Sequence, residues 1–120
     1  MCGKALHILD RWYGRESFSK VFYGHSEAVH IETKDKIDAT QARQLLAEAA
    51  GISVLDERAD GGYPTAVTEG ANKDDVFVGR IREDISHPRG INFWVVADNV
   101  RKGAALNSVQ IAEILVKSYL

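Results

Sequence analysis

The stretch Val21-Phe22-Tyr23-Gly24-His25-Ser26-Glu27-Ala28-Val29-His30-Ile31-Glu32-Thr33-Lys34 decides how this chain is read. From Glu27 onward the pattern alternates. Val29, Ile31 and Thr33 fall on one side and Ala28, His30 and Glu32 on the other, which is the period-2 signature of a strand with one buried face. His25 therefore sits at a strand mouth. Gly24 before it admits backbone conformations that a Cβ resists and lets another group approach closely. An imidazole is the side chain best suited to exchange protons near neutral pH. His25 is thus the candidate general base, acting on a nucleophile supplied from elsewhere, although a histidine at a strand start is more often a hydrogen-bonded surface residue.

Downstream, Asp38 is an N-cap, Gln41 follows three residues later as in a capping box, and Ile37 is placed to staple onto Ala42. The spacing predicts a helix over 39–50 that buries Ala42, Leu45, Leu46 and Ala49, ending at Gly51 as a left-handed C-terminal residue. Ile52-Ser53-Val54-Leu55-Asp56 reads as a strand, giving a β-α-β unit. Residues 57–75 read as loop, with turn chemistry at Gly61-Gly62-Tyr63-Pro64 and Glu69-Gly70-Ala71-Asn72. Val76 to Glu83 and Ile91 to Asp98 read as two strands whose short link favours an antiparallel pair, with Phe93 and Trp94 on opposite faces. A last helix is predicted over 103–119, apolar around more than half its girth, so it either lies deep in the domain or belongs against another one. Upstream, residues 1–20 are expected to form a short helix or an irregular arm.

A chain of 120 residues, 45% hydrophobic and 27% charged, has room for one core, so one domain is expected. Fifteen basic against 17 acidic residues, interspersed, give no field that draws in nucleic acid or an anionic membrane. No apolar run approaches the roughly 18 residues of a membrane span, and no signal-peptide plan is present. The single cysteine, Cys2, excludes an internal disulfide and a thiolate zinc cluster and fits a reducing cytoplasm. It lies on an unplaced arm with no fixed relation to His25, so an inert thiol is the preferred reading over a Cys–His dyad. His25 and His30, five apart on a strand, fall on opposite faces, and neither is in ligand spacing with His7 or His87, so no metal site is expected. Gly103 does not open a G-x-G-x-x-G fingerprint. Arg80 and Arg82, read as sharing a strand face, are placed to grip a carboxylate or simply to meet solvent. Asn99 is either a polar anchor for a ligand or a turn residue. These observations stop at an α+β domain with one conspicuous histidine.

Four motifs carry the reading further. Gly24-His25-Ser26-Glu27-Ala28-Val29, Asp60-Gly61-Gly62-Tyr63-Pro64-Thr65, Gly79-Arg80-Ile81-Arg82-Glu83-Asp84 and the segment from Asp98 to Asn107 stand in the same order as in bacterial aspartate-semialdehyde dehydrogenases. From Val21 to Leu120 the chain resembles the C-terminal, dimerisation and catalytic part of that family. The resemblance implies a glyceraldehyde-3-phosphate-dehydrogenase-like C-terminal domain: α+β, with a mixed sheet of about four or five strands and the helices at 39–50 and 103–119 on one face. It implies NADPH-dependent reduction of aspartyl phosphate to aspartate semialdehyde, in the route to lysine, threonine, methionine and isoleucine. By similarity His25 matches the acid/base histidine that activates a catalytic cysteine, and Asn99 a position that holds the nicotinamide end of NADP. The strands around 76–98 match the sheet that builds a homodimer, and the last helix one that packs onto the dinucleotide-binding domain.

The chain departs from the family pattern in three places. The dinucleotide-binding domain and the catalytic cysteine lie outside these 120 residues, and Cys2 does not align with that cysteine. Seven residues before the histidine the family carries an arginine that clamps the substrate carboxylate; here that position is Phe18, which has no guanidinium fork. Residues 1–20 are thus expected to be an arm outside the resemblance and 21–120 the dimerisation domain. The expected partners are a second copy of the chain or a full-length enzyme subunit.

Overall fold

The computed structural model describes the backbone of residues 15–18 together with residues 24–119. Its strands, β1 (Arg15–Phe18), β2 (His25–Glu32), β3 (Ile52–Val54), β4 (Val76–Glu83) and β5 (Gly90–Ala97), form one mixed sheet in the order β1-β2-β5-β4-β3. β2 runs antiparallel to β1 and β5, β5 runs antiparallel to β4, and β4 is parallel to β3. Hence β2 and β3 point the same way. Helix α1 (Ala39–Ala47) joins them, so the expected β-α-β unit is present with β5 and β4 inserted between its strands.

The register settles which side chains meet. Val29 lies opposite Phe93, Ile31 opposite Ile91 and Val78 opposite Val95, so these share one face of the sheet. α1 lies on that face: Ala42 joins Val78, Ile81 and Ile91 in the buried cluster, and Ile37, Leu46, Phe93 and Val95 pack around it. Thr33, predicted on the same side as Val29, is also buried, its hydroxyl donating to the Asp35 carbonyl at 2.7 Å.

The start of α1 is written in the chain as the sequence indicates. The Asp38 carboxylate accepts from Gln41 N at 2.8 Å, and the Gln41 side-chain carbonyl accepts from Asp38 N at 3.0 Å, a closed capping box. The helix stops earlier than predicted. Glu48 is its C-cap and Ala49 is exposed, while Gly51, with φ +75°, turns the chain into β3 three residues later.

Four further expectations are corrected. The segment 57–75 is not all loop: Ala66–Gly70 forms a helical turn capped by the Thr65 hydroxyl, which accepts from Thr68 N at 3.1 Å. It packs on the face opposite α1, where Trp94 Nε1 donates to the Pro64 carbonyl at 3.0 Å, so the Trp94 face is covered there by the chain itself. Second, Arg80 and Arg82 do not simply alternate on one pleat. The register shifts between Gly79 and Arg82, Arg80 takes φ +53°, its guanidinium lies 5.5 Å from the centre of the Tyr63 ring, and Arg82 donates back to the Arg80 carbonyl at 2.8 Å. Third, Arg15–Phe18 is strand rather than helix or irregular arm; the predicted helical spacing at Leu6, Leu9 and Tyr13 lies outside the described residues.

The fourth concerns the last helix. A kink over Arg101–Ala105, with Gly103 at φ +75° and Ala104 at φ −140°, ψ −128°, precedes α2 (Leu106–Tyr119) and turns it away from the sheet. None of its described residues is buried, so the expected cover of the sheet by 103–119 does not form. No helix among the described residues is long and apolar enough to cross a membrane.

Candidate functional site

The site is built where β2 begins and β5 ends. Gly24 has φ +81°, and a Cβ there would stand 2.9 Å from the Ala97 carbonyl oxygen, so only glycine lets the chain enter β2 this close to β5. His25 then pairs with Ala97 and Glu27 with Val95. Both side chains line a cleft of about 460 Å³ together with Val95, Asn99, Lys102 and Gly103. α1 covers the other end of this sheet face, which leaves the His25 end accessible. The imidazole is 47% exposed, and its Nδ1 lies 2.5 Å from Glu27 Oε1.

The far wall of the cleft is the turn 98–103, and a buried carboxylate holds it in place. Asp98, 1% exposed, accepts from Asn72 N and from Val100 N, each at 2.9 Å, while its carbonyl accepts from Arg101 N at 3.1 Å and Lys102 N at 2.8 Å. Arg101 reaches Asp74 at 2.5 Å, and Lys102 Nζ donates to Gln110 at 3.3 Å. Asn99 is thereby presented, exposed, on the rim. The structure thus brings His25 and Asn99 to one cleft. Glu27 and Asp98 are the members that the sequence reading missed. Glu27 was findable, since positions two apart on a strand share a face; Asp98 read as no more than the last residue of a strand.

His30 faces away from this cleft, as the alternation requires. Its Nδ1 lies 3.0 Å from Asn92 Oδ1 and 3.0 Å from Asp84 Oδ2. The Asp84 carboxyl is lowered to about 2, chiefly by the Ser86 backbone N–H and hydroxyl, with smaller help from Asn92 and His30. His87 is 3.8 Å from Glu32. Among the described residues no group of three or more histidine, cysteine or carboxylate side chains is placed to hold a metal ion. Cys2 and His7 lie outside the described residues, as does any pairing of Cys2 with His25. Arg80 and Arg82 line a separate cleft of about 510 Å³ beside Asp56 and Tyr63.

Residues 20–102 match the family described as semialdehyde dehydrogenase, dimerisation domain. Among curated proteins, the chain is 60% identical over 100 residues to an aspartate-semialdehyde dehydrogenase of Legionella pneumophila and 52% identical over 101 residues to that of Aquifex aeolicus, covering 83% of this chain in each case. Among solved structures it is similar to aspartate semialdehyde dehydrogenase II of Vibrio cholerae complexed with ASA, with TM-score 0.76 and 56% identity, and to a probable aspartate-semialdehyde dehydrogenase of Pseudomonas aeruginosa, with TM-score 0.73 and 39% identity. Both structural matches cover 83% of this chain and 29% of the other. The chain likewise spans 29% of the length of the two curated relatives. A match over most of the chain, in a fold shared with those structures, places it in the aspartate-semialdehyde dehydrogenase family, in the part that forms the dimerisation domain.

Proposed function

We propose that this chain supplies the acid–base and dimerisation part of an aspartate-semialdehyde dehydrogenase, which reduces aspartyl phosphate to aspartate semialdehyde with NADPH in cytoplasmic amino-acid biosynthesis. The observation that supports the reading is the shared cleft, in which His25 and Asn99, matched by separate motifs, face the same space. In this role His25 takes the proton of a thiol contributed by the rest of the enzyme. The thiolate is the form that attacks the acyl carbon and expels phosphate. After reduction the histidine returns a proton as the aldehyde is released. NADPH supplies the hydride. The exposed carboxamide of Asn99, on the rim beside His25, fits contact with the nicotinamide end, while the nucleotide cradle lies outside these 120 residues. Phe18, paired with Glu27 across β1 and β2, stands where the family has its carboxylate-clamping arginine and offers no guanidinium to grip a carboxylate.

On this reading residues 21–120 are the dimerisation domain, 1–20 lie apart from it, and a second copy is the first partner. The 120 residues by themselves are expected to give no NADPH-dependent turnover, because Cys2 is their only cysteine and they contain no G-x-G-x-x-G fingerprint. NADPH oxidation by the purified chain would overturn that. Restored turnover on adding the thiol-bearing part, lost again in His25→Asn, is the expected positive result. A second reading, a non-enzymatic module that pairs with itself or with a full-length subunit, is favoured by the exposed apolar surface of α2. Native mass spectrometry of a mixture with full-length enzyme separates the two: mixed dimers without any gain of activity support the module.

A further inference from the structure

We infer that Glu27 is a positioning residue for His25, fixing which ring nitrogen exchanges the proton. Its catalytic meaning rests on the acid–base role proposed above; the contact itself does not. His25 and Glu27 are two apart on β2, their side chains leave the same face, and their backbones are pinned by pairing with Ala97 and Val95 on β5. The sheet ladder thus fixes the two Cα positions on one face, and across them Nδ1 lies 2.5 Å from Oε1. The burial is graded in the useful sense. The carboxylate is 22% exposed and lies deeper, while the imidazole is 47% exposed and nearer the open cleft.

A carboxylate can only accept at Nδ1. It therefore selects the tautomer with the proton on Nδ1 and assigns proton exchange to Nε2. When a thiol is deprotonated, the S–H bond breaks and an Nε2–H bond forms. A thiolate and an imidazolium result, the Nδ1 proton stays on the ring, and no electrons change hands. The imidazolium then donates its Nδ1–H to the Glu27 carboxylate in a hydrogen bond charged at both ends, so the carboxylate stabilises the state that follows proton transfer. Among the described residues, the other charged group lining the cleft is Lys102, whose Nζ donates to Gln110.

The test is 15N-resolved NMR of the imidazole in the whole 120-residue chain, above the pH at which the ring is protonated. The expected result is a predominant Nδ1–H tautomer in the unmodified chain, retained in Glu27→Gln, whose amide oxygen still accepts, and reversed toward Nε2–H in Glu27→Ala. A predominant Nε2–H tautomer in the unmodified chain, or an unchanged ratio in Glu27→Ala, would overturn the inference. If Glu27→Ala does not fold, the unmodified chain and the near-isosteric Glu27→Gln decide it alone: loss of the Nδ1–H form in a folded Glu27→Gln counts against the hydrogen bond as described. The two readings fail separately. If His25→Asn leaves turnover of the completed enzyme unchanged, the acid–base role falls while the tautomer result stands.

Discussion

At the scale of single residues, the entry to β2 depends on the absence of one carbon atom. Gly24 combines φ +81° with a Cβ direction blocked by the Ala97 carbonyl, so alanine there meets both backbone strain and a clash with an atom that cannot move without disturbing β5. Gly24→Ala is expected to cost about 1–3 kcal/mol in an unfolding titration and to displace the His25 ring resonances. A variant with unchanged stability and an unchanged ring spectrum would mean that the turn has room to spare. On the opposite face, Asp84 makes acid stability a local matter. Its carboxyl is lowered to about 2, against about 3.9 for an unfolded aspartate, so its stabilising effect is complete above the unfolded value and is lost as pH falls through the folded one. Asp84→Asn should flatten the fall in stability between about pH 4 and pH 2; an unchanged acid limb would place that loss on other carboxylates.

At the scale of elements, α1 shows a helix end determined by its own sequence. Removing the Asp38 side chain in Asp38→Ala takes away the half of the capping box that satisfies Gln41 N, leaves the Asp38 N–H on the Gln41 side chain, and is expected to destabilise the chain by about 1 kcal/mol, read from the denaturant midpoint at constant slope. The same local character explains what the sequence made legible. The alternation at Val29, Ile31 and Thr33, the Asp38–Gln41 box and the opposed faces of Phe93 and Trp94 are set by neighbours in the chain, and each appears in the fold. What depends on distant partners could not be read that way. The bulge at Arg80 puts a non-glycine residue at positive φ, while adjacent Gly79 is required for space, because a Cβ there would lie 2.3 Å from the Leu55 carbonyl oxygen and 2.6 Å from Pro64 Cδ. A glycine beside the bulge thus gives a misleading signal of where the backbone turns over. His25 was legible through its place before the alternation and Asn99 through its motif. Glu27 could be placed on the His25 face from its spacing two residues along the strand, whereas the Nδ1 to Oε1 contact depends on side-chain geometry that spacing does not set.

At the scale of the whole molecule, the core and the last helix are energetically separate. Ile81 and Ile91 are at most 1% exposed under α1, whereas Val109, Ile111, Ile114, Leu115 and Val116 on α2 are 49–62% exposed. Burial is what makes an apolar side chain costly to lose, so the two groups should respond oppositely to mutation. Ile81→Ala is expected to cost about 2–5 kcal/mol through lost contacts and the cavity left behind. Val116→Lys, which removes no buried contact, should leave the unfolding midpoint of the isolated chain within about 0.5 kcal/mol of its starting value. It should nevertheless weaken self-association, because a helix apolar on several sides offers a surface that water disfavours until another surface covers it. Light scattering across a dilution series, run beside the unfolding titration, reads both quantities on the same samples. A lower midpoint in Val116→Lys would show that α2 packs against this chain's own sheet in solution, contrary to the geometry of the 101–105 kink. An unchanged midpoint with unchanged association would move the subunit contact away from α2 and onto the sheet.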